Sequence, residues 1–170
     1  SLGNVYGGMI LVAFDESYTY KQALAAAGKH GFIESLGQEV RTNSARLYPV
    51  QLAEGLSCKQ VEQAIKVLEQ DVSVSYAAPY FLTDTGAGMQ LLGISNEFIV
   101  TVSANKQAGL VLEKLANATR TSMVTSLGAD TYVLRADKNS KGNALEMANF
   151  FQEQPLIKHA EPDFVVSLEM

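Results

Sequence analysis

His159-Ala160-Glu161-Pro162-Asp163-Phe164 ends the last long pattern of the chain, and its counterpart stands earlier as Tyr76-Ala77-Ala78-Pro79-Tyr80-Phe81. Ala160, Pro162 and Phe164 each follow Ala77, Pro79 and Phe81 by 83 residues. At the same offset Val61, Ala64, Ile65 and Leu68 fall on Ala144, Met147, Ala148 and Phe151. Both sets run i, i+3, i+4, i+7, the spacing of one apolar helix face. A helix leading into a strand that ends Ala-x-Pro-x-Phe therefore occurs twice, and a repeat of this length marks a tandem duplication.

Working outward, each copy gives the same cycle. Met9–Phe14 is an apolar run of strand length, with Ile10, Val12 and Phe14 on one face. Tyr18–Gly28 reads as a helix whose inner face is Tyr20, Ala23, Leu24 and Ala27. Phe32–Leu36 and Ala45–Leu52 read as strands, and Pro49 assigns the second to an edge or a bulge. Ser57 with Gln60 forms a capping box for the next helix, and Val72–Phe81 closes the unit.

The loop Thr83–Gly88 is the candidate boundary, and Met89–Ile94 is apolar enough for a short extra strand. Glu97–Val102 restarts the cycle, followed by a helix over Lys106–Ala118 with Leu110, Val111 and Leu115 inward. Strands at Met123–Leu127 and Thr131–Ala136 and the second amphipathic helix complete it. The order βαββαβ with right-handed crossovers predicts an α+β fold of two tandem ferredoxin-like units. Each is a four-stranded antiparallel sheet with two helices on one face. The units span 1–84 and 95–170, with 85–94 as connector.

Composition narrows the partners. The chain has 170 residues, 47% hydrophobic and 18% charged, so it is globular, and its net charge of −5 includes no cationic run. A nucleic-acid partner needs clustered Lys and Arg and is not expected. No apolar run is long enough to span a membrane. Cys58 is the single cysteine, which excludes an internal disulfide and a cysteine-rich metal site, and no metal or cofactor is expected.

Ferredoxin-like units host unrelated functions, so chemistry has to be sought residue by residue. Phe32, Tyr48 and Tyr132 lack the basic surface of an RNA-recognition sheet, and neither first loop, Asp15–Ser17 or Ser103–Asn105, supplies the Arg of a phosphatase cradle. Asp84-Thr85-Gly86, His30-Gly31 and Thr121-Ser122-Met123 look like pieces of a serine-protease triad. The order is wrong, and Arg120 stands where Gly is required, so no enzyme activity is expected. His159 aligns with Tyr76 and reads as a half-buried strand residue. Glu161 and Asp163 read as exposed charges where the first copy has Ala78 and Tyr80.

Phe98-Ile-Val-Thr-Val102 and Pro155-Leu-Ile-Lys-His-Ala-Glu-Pro-Asp-Phe164 together resemble the propeptide domain of subtilisin-like serine proteases. That resemblance implies an intramolecular chaperone and inhibitor, an extracellular, periplasmic or cell-surface location, and a subtilisin-like protease domain as partner, in cis or in trans. It also implies that the sheet face docks on the protease while the tail enters its cleft as an added strand. The residues so assigned are Glu161, Pro162, Asp163, Phe164, Val165, Val166, Ser167, Leu168, Glu169 and Met170, though Phe164–Leu168 reads equally as the end of the last strand. Two alternatives stand beside it: an extracellular interaction or scaffold module, and a pair of regulatory domains sensing a small ligand.

Overall fold

The computed structural model describes residues 2–104 and 106–168. The chain divides into two compact units. The first is built from the chain up to Arg41, Ala45–Ile94 and the chain from Phe164 onward; the second from Thr42–Ser44 and Ser95–Asp163.

In the first unit β1 (Asn4–Phe14), α1 (Tyr20–Ala27), β2 (Ile33–Leu36), β4 (Arg46–Leu52), α2 (Cys58–Glu69) and β5 (Val74–Asp84) follow the predicted cycle, with a two-residue β3 (Val40–Arg41) added against β4. The strands lie in the order β2-β4-β1-β5, all neighbours antiparallel. In the second unit the cycle is β6 (Met89–Val102, from Ser95 onward), α3 (Ala108–Thr119), β7 (Ser122–Gly128), β8 (Thr131–Arg135), α4 (Ala144–Gln152) and β9 (Ile157–Leu168, up to Asp163). There β7 pairs β8, β8 pairs β6 and β6 pairs β9. Both units therefore have the ferredoxin-like strand order, and the fold is the α+β duplication that the 83-residue echo implies. Met89–Ile94 forms the opening of β6, where it pairs with β5 through Tyr80↔Gly93 to Asp84↔Met89.

The helix-facing cores are assembled from the expected periodicities. Ile10, Val12 and Phe14 pack with Tyr48, Val50, Val61, Ala64, Leu68 and Ala77 in the first unit. In the second, Phe98, Val100, Leu134, Met147, Ala148 and Phe151 are buried, with the Phe98 and Phe151 rings edge to face at 5.1 Å. Capping boxes start three helices: Thr19 with Gln22, Ser57 with Gln60, and Asn143 with Glu146.

Three local expectations are corrected. The inner face of α1 is Ala23, Ala26 and Ala27, leaving Tyr20 and Leu24 half exposed. The inner face of α3 is Ala108, Leu112, Ala116 and Thr119, with Leu110 turned out. In both helices the alanines face inward, because small side chains let a helix lie close on a sheet already filled by Phe14 and Tyr48 or by Phe98. Pro49 lies within β4, between β1 and β2, not on an edge. Its carbonyl accepts the Gly37 amide, so its missing N–H points to the same side, just past Leu36, where β2 has already ended. The ladder loses nothing there.

Candidate functional site

The two sheets differ most on the face away from the helices. In the first unit that face carries Leu11, Ala13, Leu47, Tyr76, Ala78 and Tyr80, all buried. Met9–Phe14 is consequently buried on both sides of the strand. In the second unit the cross-strand pairs Glu97↔Arg135, Ile99↔Val133 and Thr101↔Thr131 define the corresponding face. The Thr101 and Thr131 hydroxyls meet there at 3.0 Å. Where the first unit has Tyr76, Ala78 and Tyr80, the second has His159, Glu161 and Asp163. His159 and Glu161 are exposed, with Nε2 and Oε2 3.4 Å apart.

At one end of this polar face lies an organised network. Glu97 is 3% exposed, yet it is an acid. Its carboxylate accepts the Asn43 side-chain amide at 2.9 Å and the Ser44 hydroxyl at 2.5 Å. Ser44 Oγ in turn accepts Asn96 Nδ2 at 2.9 Å, and Thr42 Oγ1 donates to Asn96 Oδ1 at 2.8 Å. Ser95 Oγ accepts the Glu97 amide at 3.1 Å and donates to Asp163 Oδ2 at 2.9 Å. Neutral donors thus hold two carboxylates near each other, and among the described residues neither forms an ion pair. A buried charge is tolerated when hydrogen-bonded, but its net charge remains. Burial pushes the Asp163 carboxyl above its ordinary 3.8; the Ser95 hydroxyl opposes the rise and the Glu97 charge adds to it. On the same face Arg135 stands across the ladder from Glu97. No group of three or more His, Cys, Asp or Glu suited to a metal ion occurs among the described residues.

A second network lies in the first unit. His30 Nε2 meets Asp71 Oδ2 at 2.7 Å, and Asp71 Oδ1 accepts both the amide and the hydroxyl of Ser73, at 2.9 and 2.7 Å. His30 is thereby engaged by Asp71, while Asp84 terminates β5 and Ser122 opens β7. Elsewhere on β5 the Tyr80 hydroxyl is buried without a hydrogen bond among the described residues. Burial pushes its ionisation up to about 12; Ser167 is near enough to hold the rise back somewhat but does not close a bond.

The tail residues are placed as follows. Glu161, Pro162 and Asp163 belong to the second unit and Phe164 onward to the first. Phe164 through Leu168 complete β9, with Val165 buried, Val166 exposed, and Phe164 and Ser167 half-buried. Glu169 and Met170 lie outside the described residues. Sequence reasoning did not find Glu97, Ser95 or Thr42–Ser44. The available signal was that Glu97 opens a strand at the position matching Met9, an apolar residue buried in the first copy.

No family model matches the chain, and no curated protein matches it. A comparison with solved structures finds the small subunit of acetolactate synthase from Thermotoga maritima, 12% identical, covering 98% of each chain, with a TM-score of 0.35. A likeness that faint assigns no function. The propeptide resemblance is nevertheless corrected: the solved structure found is a subunit of another enzyme. With it go the inhibitor and chaperone role, the subtilisin-like partner and the ground for expecting a secreted location. The molecule supplies a physical reason. The tail through Leu168 lies within β9, a strand of the chain's own sheet, and is not a free segment. No helix among the described residues is long and apolar enough to cross a membrane.

Proposed function

We propose that the chain is a pair of ferredoxin-like units that senses a small ligand, binding it without turnover, with the site on the polar sheet face of the second unit. The carrying observation is the Glu97–Ser95–Asp163 network: two carboxylates held by neutral donors, neither in an ion pair among the described residues. A ligand with an ammonium head would relieve their repulsion. Asp163, half-buried, is the group within reach of solvent, and Glu97 supplies the charge behind it. The exposed His159 and Glu161 lie further along the same strand, where they would meet the remainder of a ligand a few ångströms longer than its head.

The test is thermal-shift and calorimetric titration with free amino acids and linear amines, each beside its N-acetylated form. Cationic members should raise the melting temperature, acetylation should abolish the effect, and Asp163→Asn should weaken binding roughly tenfold or more. Equal binding of the acetylated forms, or no shift with any member, would overturn the reading.

A further inference from the structure

The outer strand of the second unit is unusual for an edge. β7, Ser122-Met-Val-Thr-Ser-Leu-Gly128, pairs with β8 alone among the described residues, and six of its seven residues are exposed. Met123 and Leu127 are 47% and 59% exposed. The strand contains no charged residue and no proline, although an open edge is ordinarily guarded by such residues. By contrast the edge strand of the first unit, β2, has four residues and carries Glu34.

The pattern along β7 is symmetric about Thr125. An antiparallel two-fold through that residue places Met123 opposite Leu127, Ser122 opposite Gly128 and Thr125 opposite itself. Carried two residues beyond each end of the strand, the same two-fold places Arg120 opposite Asp130. Both are exposed, and neither forms an ion pair among the described residues. Arg120 ends α3 at φ 59° and Asp130 ends the β7–β8 turn at φ 60°, so both charges sit where the chain leaves the strand. Apolar would meet apolar, and plus would meet minus, twice each.

From this self-complementarity we propose that two copies of the chain associate by antiparallel pairing of β7 with β7, with Arg120 of one copy against Asp130 of the other. An isologous interface requires a surface that complements itself, and this edge does. The two register shifts of β7 against β8, at Met123/Thr125 and Ser126/Gly128, coil the edge. A single strand edge buries less than the roughly 1,200 Å² of a stable interface, so the dimer should be weak, with a midpoint of roughly tens to hundreds of micromolar. The proposal does not depend on the ligand site.

Sedimentation velocity on the full chain, from about 10 µM to about 1 mM, reads the association directly. Arg120→Asp and Asp130→Arg should each weaken dimerisation roughly tenfold or more, and the double reversal should restore it. Melting temperature and circular dichroism of each variant check that the unit is intact; neither side chain has an ion pair to lose among the described residues. A monomer at all concentrations would overturn the proposal. So would a dimer insensitive to both reversals, or one that the double reversal fails to restore.

Discussion

Replacing Asp71 by Asn should cost stability at neutral pH and cost nothing in strong acid. Burial alone would raise the Asp71 carboxyl, but the Ser73 hydroxyl and amide and His30 outweigh it and bring the carboxyl from 3.8 to about 2. A shift of about 1.8 units corresponds to an upper limit near 2.4 kcal/mol. Solvent at this partly open pair reduces that to about 1–2 kcal/mol. The sign follows from proton linkage. A carboxyl depressed in the folded state contributes stability that is fully present above its unfolded pKa of about 4, and loses it as pH falls toward 2. Asparagine keeps the shape and an acceptor for Ser73 but carries no charge. Urea unfolding of both proteins at several pH values between about 2 and 7 measures the difference. It should be about 1–2 kcal/mol at pH 6 and shrink steadily below pH 4. A difference that stayed constant across the range would refute the electrostatic account and leave only a packing defect.

Other consequences are as direct. Tyr80→Phe removes a buried hydroxyl that has no hydrogen bond among the described residues, so stability should hold or rise by up to about 1 kcal/mol, and a clear loss in urea unfolding would mean that a partner had been overlooked. In wild type, ultraviolet titration should show one tyrosine ionising only near pH 12, and stability should fall as pH climbs from 10 toward that value. Glu97→Ala strands the Asn43 and Ser44 donors in a buried site and should cost about 2–4 kcal/mol, whereas Glu97→Gln, which keeps one acceptor, should cost roughly half that. Asp163→Asn removes a carboxyl whose pKa is raised on folding; its stability relative to wild type should improve as pH rises through and above 4, the reverse of Asp71→Asn. Gly93→Ala would bring a methyl within 2.8 Å of the Tyr80 ring and 3.2 Å of Leu11, both fully buried, and should lower the melting temperature by several degrees.

The order of elements was legible because duplication states it twice, and the start of α2 was legible from Ser57 and Gln60, whose positions lie three residues apart. Helix faces were less so. In Ala23-Leu24-Ala25-Ala26-Ala27 nearly every position is apolar, so periodicity cannot choose between faces, and the sheet beneath chooses by size. The site was not legible, because Thr42–Ser44 meet residues more than fifty positions away and nothing local marks a Thr-Asn-Ser loop as the lining of a carboxylate. The propeptide resemblance failed for a related reason. Phe-Ile-Val-x-Val and Ala-x-Pro-x-Phe record the burial of one strand face, which every unit of this topology requires whatever it binds. The residues that distinguish the two copies, Tyr76 against His159 and Tyr80 against Asp163, lie on the other face.

The two-sided burial of β1 bears on how the copies can drift. Six consecutive positions from Met9 to Phe14 are closed to water, so none can accept a polar substitution without unfolding the unit. In β6 the equivalent stretch alternates between closed and half-open positions only from Phe98 to Val102, after a closed run from Gly93 to Phe98. A saturation library should therefore show an unbroken intolerant block over Met9–Phe14 in β1 and a two-residue rhythm over Phe98–Val102 in β6. Under that constraint the first copy can hardly acquire new chemistry, and innovation within the duplicated pair is channelled to the second.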